Sequence, residues 1–302
     1  MRFSSFNRHG GRGLIGAMAL AALWAGACRR QAEPAPEGLR VVSLAPNLTE
    51  MICAVGACDA LVGRTSACLY PSDIVQDVPA VGGFGAPSLE MLMALHPTLI
   101  VDVALENEHT GRKIEALGFR RERIVCQRLP DIPDALVRIG VLVDRAEAGN
   151  ALADAMRRRL REFEQNAPDG RRPSVYVEIW SDPVMTAGKH SFVAELVRLA
   201  GGDNIGDEVE RDDYFRVSSE WVVARNPDMI VSLSQSHRGD AASAERQIAS
   251  RSGWERLDAV RHGRVYRSEN AGILTSPGPR VLDGVEELRT WIRAYGETSR
   301  GK

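Results

Sequence analysis

The spacing of apolar positions along this chain changes several times, and each change marks an element. The largely apolar segment Leu39–Ala45 predicts a buried strand, and Asn47 with Glu50 three residues later reads as the capped start of a helix running to about Ala57. Leu61–Ser66 predicts a second strand, and Val78–Gly83 leads into a glycine-rich loop. Thr98–Val103 is a third strand, followed by a helix near Gly111–Leu117 and a strand at Arg123–Gln127. From about Pro133 to Gln165 the period becomes helical, with Leu136, Ile139, Leu142, Leu152, Met156, Leu160 and Phe163 on one stripe. Asp144–Glu147 and Gly149 mark a break there, and the helix Ala146–Asn166 carries arginines on its outer face. The pattern then returns to strands at Ser174–Trp180, Met229–Leu233 and Arg264–Arg267, with helices at Phe192–Ala200 and Arg280–Tyr295.

One stretch of this pattern occurs twice. Ser88-Leu-Glu90-Met-Leu-Met-Ala94-Leu-His-Pro97-Thr-Leu-Ile100-Val101 returns as Ser218-Ser-Glu220-Trp-Val-Val-Ala224-Arg-Asn-Pro227-Asp-Met-Ile230-Val231, with six of fourteen positions identical at an offset of 130. Each copy has a serine cap, a glutamate in the first helical turn, an apolar face, a proline stop and an apolar strand. Duplication of this grammar predicts two similar α/β lobes with equivalent carboxylates. The helical region lies midway between the copies. It reads as two packed helices or as a rigid strut joining the lobes, and its position favours the strut.

Composition adds compartment and partner class. The chain has 302 residues, 44% hydrophobic and 26% charged, enough for two domains. Three arginines precede the apolar run Leu14–Ala27, which is too short for a relaxed bilayer span and has the length of a signal-peptide core. The run ends Ala25-Gly26-Ala27-Cys28, which resembles a bacterial lipobox and marks Cys28 for lipidation; a plain secretory signal is the alternative. Pro34 and Pro36 suit an unstructured tether. Loss of residues 1–27 removes three positive charges and takes the formal net charge from −2 to −5, which argues against nucleic acid as a partner. Cys53, Cys58, Cys68 and Cys126 form an even set in an oxidising compartment, with three possible pairings and no CxxC spacing for zinc.

In two-lobed α/β proteins ligands bind outside the carboxyl ends of the strands. The loops expected there hold Tyr70, Phe84, Met185, Tyr214 and Phe215, with Trp180 at a strand end, a lining suited to a large, flat, partly apolar ligand. Glu90 and Glu220 stabilise their helix starts and also offer two equivalent acidic contacts to a basic partner. Catalytic patterns are weak: Gly188-Lys189 is followed by His190 and is no phosphate loop, and neither GxSxG nor HExxH occurs. Glu106, Glu108 and His109 could hold a metal and support a metal-dependent enzyme; a solvated charge cluster is the plainer reading.

The ordered series Arg40-Val-Val-Ser-Leu-Ala-Pro46-Asn-Leu-Thr49-Glu50, Leu61-Val-Gly63, Leu69-Tyr70-Pro71, Ser88-Leu-Glu90, Ala94-Leu-His-Pro97, Thr186-Ala-Gly188-Lys189, Leu199-Ala-Gly201-Gly202-Asp-Asn204-Ile205, Val217-Ser218-Ser-Glu220 and Pro277-Gly-Pro279-Arg280 resembles the helical-backbone (class III) periplasmic binding proteins of ABC importers, most closely their cobalamin-binding branch. The resemblance implies two Rossmann-like lobes, each a mostly parallel sheet flanked by helices, joined by one long inter-lobe helix with a ligand cleft between them. It implies a signal peptide over residues 1–27, a tether over 28–38, an N-terminal lobe over 39–130, connecting helices over 131–168 and a C-terminal lobe over 169–298. It further implies a monomeric, periplasmic or lipid-anchored carrier that is not an enzyme and has no cofactor of its own. Such a carrier captures cobalamin or a related corrinoid and docks through Glu90 and Glu220 on the permease of an inner-membrane importer. Haem or a ferric siderophore is the alternative ligand, and a ligand-free sensor on the same scaffold is a third reading. By position, Phe84 and Tyr214 stand where the cobalamin binders carry tryptophans, Met185 where they carry phenylalanine and Ala67 where they carry tyrosine. The docking residues therefore match the family better than the pocket does.

Overall fold

Two separate sheets gather the apolar runs. The computed structural model describes residues 38–300 apart from 104–107, 169, 211–212, 235–240, 269 and 271. The signal segment, the tether, Cys28 and Glu106 lie outside the described residues, as does the side chain of Glu108. In the first lobe the strands are β1 (Val41–Ser43), β2 (Leu61–Arg64), β3 (Gly82–Gly83), β4 (Ala86–Pro87), β5 (Leu99–Asp102) and β6 (Arg121–Arg123). They are interleaved with helices α1 (Pro46–Ala54), α2 (Ser72–Val75), α3 (Leu89–Leu95) and α4 (Glu108–Ala116). The order β2-β1-β5-β6 is parallel throughout, and β3 and β4 form a separate antiparallel pair. Helices α5 (Asp131–Leu142) and α6 (Ala146–Gln165) follow.

The second lobe contains β7 (Ser174–Ser181), β8 (Val184–Ala187), α7 (Phe192–Ala200), β9 (Asp203–Asn204), β10 (Tyr214–Arg216), α8 (Ser219–Arg225), β11 (Met229–Ser232), α9 (Ala241–Ala249), α10 (Asp258–Arg261), β12 (Val265–Arg267), α11 (Gly272–Thr275) and α12 (Val281–Arg300). Its sheet runs β10-β8-β7-β11-β12, with β9 also paired to β7. β7, β11, β12 and β9 are parallel, and β8 and β10 turn back antiparallel. β11 pairs with Val175–Glu178 of β7 and no further. The β7-β8-β10 ribbon therefore overhangs the carboxyl edge of this sheet.

The sequence repeat is also a structural repeat. α3 and α8 are both seven residues long, β5 and β11 are both four, and all four bounds keep the offset of 130. β5 lies between β1 and β6 as β11 lies between β7 and β12. Ser88 accepts the Met91 N–H at 3.3 Å and Ser218 the Trp221 N–H at 3.2 Å, satisfying one orphan donor at each helix start. Both helices end on a left-handed residue, His96 (φ 44°) and Asn226 (φ 40°), just before proline. Partners hold these residues there. Arg40 donates to the Leu95 and His96 carbonyls, and the Asn226 amide exchanges two 2.8 Å hydrogen bonds with Asp258.

Several boundaries differ from the sequence reading for local physical reasons. The first helix starts at Pro46 and its N-cap is Ala45, because proline has its φ preset for the first helical position and needs no N–H partner there. Asn47 is thus inside the first turn, and Glu50 makes no capping box. The strand expected at Arg123–Gln127 lies at Arg121–Arg123. Arg121 can enter that strand because it forms two hydrogen bonds to the fully buried Asp102 of β5, at 2.6 and 3.3 Å. Of the possible cysteine pairings, Cys53–Cys58 forms, while Cys68 and Cys126 are free and buried.

One hydrophobic cluster runs from Val41, Leu48 and Leu99 in the first lobe through Leu136, Ile139, Met156 and Phe163 to Val177, Leu196, Val231 and Val285 in the second. α5 packs on α1 and on α6, and α6 packs on α7. The helical region is therefore both a packed pair and a bridge. Its close approach depends on Gly140 and Gly149. A Cβ on Gly149 would meet the Leu136 carbonyl oxygen at 2.7 Å and the Gly140 Cα at 3.0 Å, both backbone atoms that cannot swing aside. Gly149→Leu, despite the better helix propensity of leucine, is expected to destabilise the protein by about 1–3 kcal/mol in urea unfolding monitored by circular dichroism.

Candidate functional site

A cavity of about 680 Å³ lies between the carboxyl edges of the two sheets. Its first-lobe wall is Pro46, Asn47 and Glu50 from the start of α1, Ala67, Leu69 and Tyr70 from the loop after β2, Phe84 from the β3–β4 turn, and Val103 and Cys126 beyond β5 and β6. Among the described residues the second-lobe wall is a single segment after β12: Asn270, Gly272, Thr275, Ser276, Pro277 and Arg280. This is the crevice that parallel α/β topology provides. A second depression of about 700 Å³ lies against α5, α6 and α7. It is more open and lies away from the strand ends, and several of its charges are paired, as Arg128–Glu195, Arg157–Asp134 and Arg198–Asp207. Position and lining favour the cavity between the sheets as the ligand site.

The two walls are tied at the cleft floor. Glu50, 5% exposed, accepts the backbone N–H of Arg280 and its Nη2, both at 2.9 Å. Gly278 permits this approach, since a Cβ there would meet the Glu50 carboxylate at 3.1 Å. The Arg280 guanidinium carbon then sits 3.4 Å from the centroid of the Tyr70 ring, a cation–π contact across the cleft. Cys126 donates to the Pro277 carbonyl at 3.3 Å. Burial, with the Asp131 charge adding to it and the Asn47 amide partly offsetting it, pushes the Cys126 thiol up to about 12, so it stays neutral and unreactive.

The expected ligand-facing residues divide into three groups. Tyr70 and Phe84 line the cavity, 43% and 49% exposed. Trp180, Met185 and Tyr214 share one face of the overhanging ribbon, because the register Trp180↔Met185↔Arg216 places them with Tyr214, two residues before Arg216. They form a strip beyond the cavity wall in which Trp180 and Tyr214 are exposed and Met185 is half-buried. Phe215 must point to the opposite face; its ring stands edge-on to Trp221 at 5.8 Å, so its expected place in the cleft is corrected. Glu90 and Glu220 are both exposed on the first turns of α3 and α8. The Glu220 carboxyl is held below the usual carboxylate range by its own backbone N–H and by the Ser218 hydroxyl. Among the described residues no cluster of metal-ligating side chains occurs, and no helix is long and apolar enough to cross a membrane.

Sequence reasoning missed Asn47, Glu50 and Arg280 as cleft residues. The available signal was the pairing of a glutamate early in the first helix with an arginine just before the last, 230 positions apart, which no local pattern reveals.

Residues 41–271 match the periplasmic binding protein family model, and the chain belongs to that family. It is 27% identical over 260 residues to the ABC transporter substrate-binding lipoprotein YvrC of Bacillus subtilis, covering 83% of this chain and 79% of YvrC. It is also 27% identical over 259 residues to the vitamin B12-binding protein of Vibrio cholerae, covering 84% and 89%. The crystal structure of the periplasmic vitamin B12-binding protein BtuF of Vibrio cholerae superposes with a TM-score of 0.73 at 25% identity, covering 85% of this chain and 97% of that one. The haem-binding protein RhuT of Roseiflexus shares the fold, with a TM-score of 0.76 at 22% identity over 85% and 98% of the two chains.

The buried Glu50–Arg280 contact yields a direct test. Glu50→Ala leaves a half-buried guanidinium without its carboxylate and is expected to cost about 3–5 kcal/mol in denaturant unfolding. A loss below about 1 kcal/mol would mean that the lobes hold their spacing without this pair.

Proposed function

We propose that this protein captures a corrinoid, cobalamin or a close relative, outside the cytoplasm and hands it to an ABC importer. The observation that carries the ligand class is the charge balance of the cleft. Among the described lining residues the charged groups are Glu50 and Arg280, which neutralise each other, and the remaining polar groups include two amides and two hydroxyls, Asn47, Asn270, Thr275 and Ser276. Neutral amides and hydroxyls beside Tyr70, Phe84, Leu69 and Val103 suit a large ring system with a carboxamide periphery. A dicarboxylate such as haem, or an anionic siderophore, calls for uncompensated positive charge. The names of the relatives from Bacillus subtilis and Vibrio cholerae support the transport role and the corrinoid.

A second reading, haem, has one specific observation in its favour. The Tyr70 hydroxyphenyl group stands half-exposed in the cleft with a guanidinium over its ring, and a phenolate is a ligand for ferric haem. Calorimetric titration separates the two: cyanocobalamin is expected to bind saturably and haemin not to bind. Phe84→Ala should weaken the corrinoid roughly tenfold through lost ring contact. Saturable haemin binding with no response to cyanocobalamin would reverse the assignment.

Delivery runs through Glu90 and Glu220 in this proposal. Each is an exposed carboxylate on a short capped helix at an equivalent point of its lobe, a rigid pair for basic sockets on a permease. The apolar run ending at Cys28 supplies the export signal, and the lipid on that cysteine holds the carrier at the membrane. Charge reversal at both sites, Glu90→Arg with Glu220→Arg, is expected to lower cellular corrinoid uptake at least about tenfold while the dissociation constant stays within about twofold. Uptake at the unsubstituted rate would refute the docking role.

A further inference from the structure

The cleft floor contains a hydrogen-bonding group that the fold itself does not use. The buried polar residues around it are engaged. Thr49 donates to Ser43 at 2.8 Å, Cys68 lies 3.2 Å from the Thr65 hydroxyl, Glu50 holds Arg280, and the Cys126 thiol donates to Pro277. Besides the Arg280 Nε–H, Asn47 is the exception. It is 3% exposed, it lines the cavity, and its Nδ2 has no hydrogen-bond partner among the described residues. The Cys126 sulfur beside it is a weak acceptor at best. A buried amide without a partner weakens a fold, so its presence in a ligand cleft calls for a function.

Its position supplies one. Asn47 occupies the first turn of α1, which has Pro46 at its start, no side-chain cap on Ala45 and no acid in that turn. The positive end of the helix dipole therefore acts at this point of the wall and favours an acceptor oxygen. The Arg280 Nε–H in the same cavity also lacks an acceptor among the described residues. We propose that the Asn47 carboxamide is the residue by which the cleft reads its ligand, its Nδ2 donating to a carbonyl oxygen of a peripheral carboxamide. The proposal rests on the corrinoid reading and deepens it. A neutral donor in a charge-balanced cleft accepts a carbonyl without the desolvation that a free cation would bring, and it discriminates against ligands whose rim at this point is only hydrocarbon.

The test uses the full chain and cyanocobalamin. Asn47→Leu removes the amide at similar volume and is expected to raise the dissociation constant roughly 10- to 100-fold. The ligand-free melting temperature should hold or rise, because an unpaired buried amide has been removed. That opposite sign separates ligand reading from a structural role. Asn47→Asp keeps the shape and removes the N–H, and should also weaken binding at least about tenfold at neutral pH. An unchanged dissociation constant in either variant overturns the proposal. So does a fall of more than about 5 °C in the ligand-free melting temperature of Asn47→Leu, which would make Asn47 a folding residue. If the unsubstituted chain does not bind cyanocobalamin at all, the corrinoid reading itself fails and the proposal goes with it.

Discussion

The contact between Glu50 and Arg280 sets the geometry on which the cleft depends. The carboxylate comes from the first helix of one lobe, and the peptide N–H and guanidinium come from the approach to the last helix of the other. Burial makes the pair demanding, because neither charge can be left without the other. Holding it requires Gly278 to lie against the carboxylate, and it brings the guanidinium over Tyr70. With the lobes also sharing one hydrophobic cluster through α5 and α6, the two halves meet at a defined spacing.

The same contact determines the chemistry of the site. An arginine facing an empty cleft would be an anion receptor. With Glu50 on it, the two charges offset each other, and the other described groups of the wall include amides, hydroxyls and ring faces. The second lobe repeats the pattern of a compensated charge in the fully buried Glu178, paired with Arg251, and the first lobe has Asp102 with Arg121. Each sheet thus buries a carboxylate on a central strand without leaving net charge in its interior.

The duplication explains the exterior. α3 and α8 keep their length, serine cap, left-handed end and proline although fewer than half their residues agree. The glutamate in each first turn stays exposed because that turn faces solvent on both lobes. The lobes differ where the second adds the antiparallel ribbon that carries Trp180, Met185 and Tyr214 past the sheet edge. That extension has no counterpart among the described first-lobe strands, where the β3–β4 pair takes up the chain between β2 and α3.

Local physics made much of this legible in the sequence. Period-two and period-3.6 patterns, serine caps and proline stops depend on neighbours a few residues away, so the repeated helices, the helical bridge and the central parallel strands are legible directly, and Phe192–Ala200 to the residue, whereas β8 and β10 stand where loops are expected. The exposed glutamates and the cavity-lining Tyr70 and Phe84 were legible for the same reason, as features of single loops or turns. Tertiary structure alone decided the rest. Whether Phe215 faces the cleft depends on pairing register with β8, and a shift of one residue reverses it. Whether Glu50 caps its own helix or crosses to Arg280, and whether Asn47 finds a partner, depends on which groups 80 to 230 positions away arrive beside it. Those contacts are set by how two lobes pack, and no pattern within a single segment encodes them.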